Sequence, residues 1–403
     1  MKPECFVFVG YLLLGLMSAP AQNSPFPPEQ VARIQRGVHD LYSMEYERAA
    51  ENFQAMIRES PDDPTGYAYL ARTIWIRELA GTQELSIDRF AASDFFEEQP
   101  KFSPKVDPAV EDRFRKINAE AIARAKARLE KNPRDRAALF LRGLAYQNLS
   151  SFETSLKRSW RKAMGSGRNA AGDHARLLRI DPSFHDAKLS LGAKDHVLGS
   201  LPLGWKLILG VIGYTGDRER GRQTLEFVAR KGTLLADDAR ILLILIHTRQ
   251  KDYQKAYDYL AELQQKYQQN YLIRLDMGGM ELLMNRPERA IAIYGEVLRR
   301  RNTGERNYSG LELAFLCNRL GVAFRQAGDL EGAVGWFRKA LAENGRSSRS
   351  TTVARLELGK TFDLMGRRAE AVEEYQAVLA AEDVAGSKLE AGSLLKISFR
   401  PRR

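Results

Sequence analysis

Four stretches of the chain repeat one spacing: a glycine, an alanine twelve positions on, and an aromatic residue four beyond that. They are Gly37/Ala49/Phe53, Gly278/Ala290/Tyr294, Gly321/Ala333/Phe337 and Gly359/Ala371/Tyr375. The interval fits a helical hairpin in which small residues let two helices approach closely and the aromatic fills the space their neighbours leave. A hairpin of this kind cannot bury its apolar face alone and must stack on copies of itself. The spacing therefore predicts an all-α array that works by holding something.

The first unit is the fullest. Gly37 lies on its first helix, Glu45 to Ala49 open its second, and Pro61 ends it. Gly37, Ala49, Phe53 and Pro61 together resemble the tetratricopeptide repeat. Followed along the chain, the resemblance implies a superhelix of about eight helical hairpins with two insertions. The second unit begins near Pro64 and is interrupted from about Ser86 to Pro108 before Ala121, Ala125 and Leu129 supply its return helix. The third carries Gly143 and then Ala170 and Leu177. The fourth starts at Gly192, is interrupted in turn, and returns at Arg218 to Lys231. Ala256 and Leu260 mark the fifth, and the last three of the four glycine units complete the count.

The organisation expected is a signal peptide over 1–21, a linker over 22–29, irregular repeats over 30–235, regular repeats over 236–385, and a capping helix with a basic tail over 386–403. The signal rests on Lys2, an apolar run from Phe6 to Met17, and Ala19-Pro20-Ala21 as the cleavage site. The run is too short to cross roughly 30 Å of hydrocarbon. Cys5 lacks the small-residue context of a lipidated cysteine, so the reading is a soluble exported protein, periplasmic or secreted. Removal of the signal leaves Cys317 alone, which excludes an intramolecular disulfide framework. In the last segment Leu389, Leu394, Leu395 and Ile397 are expected to cover the final repeat.

The net charge of +11 favours acidic partners or anionic surfaces in a salt-sensitive way. Basic residues are dispersed except for Arg299-Arg300-Arg301 and the tail at Arg400 to Arg403, both read as solvated surface; no nucleic-acid motif is present. The most unusual block is Leu198 to Gly221, in which an apolar helix starting near Pro202 ends at Gly213 to Gly216 and Asp217 caps the next helix. This block resembles the signature of the tetratricopeptide-repeat-39 and yeast inclusion-body-clearance proteins, and also bacterial exported repeat proteins. That resemblance implies scaffolding, sometimes connected with lipid handling, and brings no catalytic residues. Leu201 to Gly213 is read as a buried plug, with a membrane-surface contact through Trp205 as the alternative.

His174, His185 and His196 recur every eleven residues. Two of them on one helix would stand about 16 Å apart, too far for one ion, so packing or capping is expected and no metal or cofactor is assigned. Gly165 to Gly172 superficially suggests a phosphate loop but lacks the Lys-Ser/Thr ending and a preceding strand, and reads as a flexible or kinked helical junction. The insertion at Ser86 to Pro108, with Phe90, Phe95, Phe96 and Phe102, reads as an ordered flap. No catalytic constellation is present.

The resemblance also implies where ligand is met. In arrays of this class the first helices line the concave face. Projecting that pattern places Leu41, Arg72, Trp75, Phe140, Gln147, Leu282, Arg325 and Lys360 there, together with Ile34, Val38, Leu144 and Leu275. The mixture lacks the Lys/Asn clamp that seizes a peptide's terminal carboxylate. The expected function is a non-catalytic exported scaffold holding a protein or peptide segment in this groove. The alternative is a lipid or membrane-surface adaptor, meeting an anionic surface through 201–213.

Overall fold

A computed structural model describes residues 24–81, 106–201, 215–343, 348–384 and 386–400. Among them are seventeen α-helices, arranged as eight hairpins and a final helix. The hairpins pair α1 (Pro28–Tyr42) with α2 (Tyr46–Glu59), α3 (Pro64–Gly81) with α4 (Pro108–Lys131), and α5 (Arg136–Ser155) with α6 (Trp160–Ile180). They continue with α7 (Lys188–Ser200) and α8 (Arg218–Lys231), then α9 (Ala236–Arg249) and α10 (Tyr253–Lys266). The last three are α11 (Tyr271–Leu283) with α12 (Pro287–Asn302), α13 (Leu313–Gln326) with α14 (Leu330–Ala342), and α15 (Ser348–Leu364) with α16 (Arg368–Ala380), followed by α17 (Ser387–Lys396). Each second helix packs on its own first helix and on the first helix of the next repeat, the neighbour-only stacking of a solenoid.

The repeated glycines owe their place to the aromatic of the same unit. A Cβ built on Gly37 would lie 2.3 Å from the Phe53 ring, and on Gly278, Gly321 and Gly359 it would lie 2.3, 2.5 and 2.6 Å from Tyr294, Phe337 and Tyr375. The paired alanines, Ala49, Ala290, Ala333 and Ala371, are fully buried between the two helices. Less regular repeats solve the same problem differently. In the third, Gly143 receives the His174 ring, and in the fourth Gly192 and Gly221 bring α7 and α8 together backbone to backbone.

The hairpin turns share a second device. Besides the α5–α6 turn, where Arg158 does so, five of them place one residue in the left-handed region, Met44, Lys251, Asn285, Gly328 and Gly366. The residue after each donates its N–H back to a carbonyl five positions earlier, as Asp252 does to His247 at 2.9 Å and Asp329 to Phe324 at 3.0 Å. These bonds satisfy carbonyls that the helix end leaves free and fix the angle at which the second helix departs. At the other end, Asp107, Asp135, Asp217, Asp252, Asn270 and Asp329 cap helices through their side chains, Asp217 as the sequence predicts.

Several expectations are corrected. Gly165 to Gly172 lies inside the unbroken helix α6, where Ala163, Ala170 and Ala171 are buried and Ser150 Oγ donates to the Ala163 carbonyl. Close packing on α5 outweighs the cost of about 0.5–1 kcal/mol per helical glycine. Helix α1 begins at Pro28, inside the expected linker, since the first position of a helix needs no N–H donor. The arginine triplet is solvated only in part: Arg299 is exposed and pairs with Glu296, but Arg300 is 7% exposed and bonds Glu305 and Tyr308 Oη, and the half-buried Arg301 donates to the Leu311 carbonyl. In α17 the cover for the last repeat comes from Ala391, Leu394 and Leu395, while Leu389 and Ile397 are exposed, because one face of so short a helix meets α15 and α16. Cys317 is buried, and burial pushes its thiol up to about 11. The flap at 86–105, the signal segment and 202–214 lie outside the described residues.

Gly321→Ala should overpack the seventh hairpin against Phe337 and cost about 1 to 3 kcal/mol or more. Urea unfolding of the variant checks this, and an unchanged midpoint would contradict the packing described.

Candidate functional site

Neighbour contacts build a solenoid, but contacts between repeats that are not neighbours can only be made across its inside. Several such contacts converge on the start of α9. Arg72 of α3 forms an ion pair with Asp238 of α9 and donates to Tyr42 Oη at 2.6 Å. Beside it, Asp237 accepts from Tyr267 Oη and Lys266 Nζ, each at 2.5 Å. The Tyr267 ring in turn lies 5.4 Å from Tyr42 and 5.5 Å from His39. Asn270 donates to the Tyr42 carbonyl at 2.8 Å, and Asn307 to the Ser43 carbonyl at 2.7 Å, while Arg306 pairs with Glu45. The first hairpin is thus docked on repeats five and six.

The anchor point suits charge. Asp186, fully buried in the turn before α7, accepts the N–H groups of Thr233, Leu234 and Leu235 at 2.8–3.0 Å, and Asp237 and Asp238 stand in the first turn of α9. Carboxylates at a helix N-terminus meet its unpaired N–H groups and the positive end of its dipole. Burial pushes the Asp238 carboxyl up, against the pull of Arg72, and burial likewise raises Tyr42 and Tyr69. Burial opposes the Arg72 charge as well, but Asp238 and Tyr42 outweigh it, and the guanidinium is held more firmly protonated than usual.

A second contact enters from the N-terminal segment. Phe26 is 4% exposed and meets Phe140 edge-on at 5.8 Å; Phe140 also meets Phe184 at 5.0 Å and stacks on His174 at 5.5 Å. His174 bonds Ser190 Oγ and the Phe140 carbonyl, and burial pushes it down to about 4, so it packs as a neutral ring. His185 packs on Phe227, and His196 bonds the Arg218 carbonyl. Among the described residues no group of three His, Cys, Asp or Glu could hold a metal ion, and no helix is long and apolar enough to cross a membrane.

The residues projected onto a groove therefore have different fates. Leu41, Arg72 and Phe140, with Ile34, Val38, Leu144 and Leu275, are buried within the chain. Arg72 spans to α9, and Phe140 is covered by Phe26. Trp75, Gln147, Leu282 and Arg325 are half-buried. Arg325 lies 2.5 Å from Glu357 of the next first helix, and Lys360, 8% exposed, bonds Glu357 at 2.8 Å and Glu390 at 2.7 Å. Burial alone would raise Glu357, but Arg325 and Lys360 prevail and bring it down to about 2. Asp238, Asp186, Asn270, Asn307 and Glu357 carry no signal in the sequence, because their roles depend on how tightly the superhelix winds.

The architecture is that of a helical-repeat scaffold. A sequence profile of the tetratricopeptide repeat matches residues 213–271 and 282–348. Over these residues the chain is similar to the tetratricopeptide repeat, and the all-α array of hairpins that contains them is the fold of a protein-binding repeat scaffold. Similar solved structures include a tetratricopeptide repeat protein from Parabacteroides merdae, at 14% identity over 82% of this chain and 99% of that one, with a TM-score of 0.31. Yeast Tom70 is similar at 10% identity over 91% and 88%, TM-score 0.38, and a human IFIT1 dimer with m7Gppp-AAAA at 14% over 91% and 85%, TM-score 0.44. No curated protein sequence matches the chain. The narrower resemblance of the central block to the inclusion-body-clearance proteins is not matched by these comparisons.

Glu357 is ionised in the folded chain far below its ordinary value of 4.5, so the stability it contributes is present above about 4.5 and is lost as pH falls toward 2. Glu357→Gln should lower stability by about 1.5 to 3 kcal/mol at pH 7. Urea midpoints measured from pH 7 to pH 3 should show that gap narrowing below 4.5; a gap independent of pH would contradict the pairing.

Proposed function

We propose that the chain is a non-catalytic exported scaffold that holds a polypeptide segment against the first helices of its sixth to eighth repeats. The observation that carries this reading is the use of the interior. In the N-terminal half Arg72, Tyr42, Phe26 and Phe140 fill the inside with contacts of the chain to itself. In the C-terminal half the first helices α11 and α13 carry the half-buried Leu282 and Arg325, positions that the repeat pattern assigns to the face a partner would meet. Apolar surface beside paired charge suits a segment that offers both side chains and backbone. The partner class is a protein or peptide, and the reading needs no metal or cofactor. Export rests on the N-terminal sequence alone.

A photocrosslinker placed at Leu282 should capture polypeptide in the native envelope fraction, and the same group at Leu379, exposed on the second helix α16, should not. Equal capture from both positions, or none from Leu282, would remove the groove reading.

A further inference from the structure

The last described residues return to the inner face of the array. The chain leaves α17 extended, with Ile397 at φ −134° and ψ 122°. Ile397, Ser398 and Arg400 are exposed, but Phe399 between them is half-buried. Its ring lies 5.7 Å from the Arg325 guanidinium and 5.7 Å from the Lys360 ammonium, and its N–H donates to Asp363 Oδ2 at 2.8 Å. Arg325 belongs to α13, and Lys360 and Asp363 belong to α15. One residue therefore bridges the first helices of the last two repeats.

The site is built before the tail reaches it. Asp363 is held by two bonds from Arg368 Nη1, at 2.9 and 3.0 Å, and by Tyr375 Oη at 2.9 Å. Arg325 is answered by Glu357, and Lys360 by Glu357 and Glu390. With its cations already paired, the pocket offers an incoming carboxylate little that Glu357 does not already take. An aromatic ring needs only the sides of the cations that face away from their partners. An amide N–H needs an acceptor, which Asp363 supplies. The tail segment is held by little more than this ring and this bond, and its neighbours on both sides are in water.

We propose that this pocket recognises an extended segment presenting one aromatic side chain together with its own N–H, and that residues 397–400 occupy it in cis as a tethered competitor which a partner strand of the same chemistry displaces. The inference rests on the peptide-binding reading above and names the chemistry of its ligand. A tether of this length holds its segment at an effective concentration of order millimolar, so the cis segment masks the site from weak ligands.

The probe is a fluorescein-labelled peptide with the sequence of residues 394–400, Leu-Leu-Lys-Ile-Ser-Phe-Arg, titrated by polarisation into the full chain and into its Phe399→Ala variant. The variant should bind the peptide about tenfold or more tighter than the unaltered chain. The gain should vanish when the peptide's own phenylalanine is replaced by alanine, and the variant should stay folded and melt only a few degrees lower, as the loss of a tenfold cis occupancy requires. Equal affinity of the two proteins, or full binding of the alanine peptide, overturns the proposal. If that result comes while Leu282 still crosslinks polypeptide, only the tail's role falls; if both fail, the peptide reading falls with it.

Discussion

One buried cation ties the second repeat to the fifth. Arg72 is 2% exposed, and its partner Asp238 stands 166 residues further along the chain at the start of α9. Removing a guanidinium from water costs several kcal/mol, and only a well-placed partner charge with further hydrogen bonds recovers that cost. Tyr42 supplies such a bond, and the Asp186 and Asp237 contacts hold the end of α9 where Arg72 can reach it. The pair therefore acts as a gauge of the superhelix: it forms only at one winding. Asn270, Asn307 and Arg306 then fasten the first hairpin to repeats five and six at that same winding.

The local fold was legible because its cause is local. Gly37 and Phe53, or Gly321 and Phe337, meet within one hairpin, so their spacing alone identifies the four hairpins that carry it. Helix ends were legible for the same reason, as at Asp217. The inner face was not. A projection onto first helices tells which residues point inward, but whether an inward residue meets a ligand or the opposite wall depends on superhelical pitch, which is the sum of small rotations over many repeats. Arg72 and Phe140 read as ligand contacts for that reason and prove to be contacts of the chain with itself. The insertion of Phe26 was hidden by its setting among prolines, which reads as linker.

The two halves of the array thus divide their work. The first spends its inner face on closure, through a core that runs without interruption from Phe26 to Ile246. The second keeps most of the regular glycine and aromatic hairpins, and the inner charges of its last two repeats are balanced locally by Glu357 rather than across the interior. A rigid first half gives the second a fixed frame, which lowers the ordering cost of binding an extended segment.

The most direct test of this closure is a double-mutant cycle on Arg72→Met and Asp238→Leu, read by urea unfolding. Each single change leaves a buried charge without its partner and should cost about 3 to 5 kcal/mol, whereas the double variant should cost far less than the sum, giving a coupling of about 2 kcal/mol or more. Additive effects would mean that the two residues do not meet, and that the N-terminal half is not closed on itself.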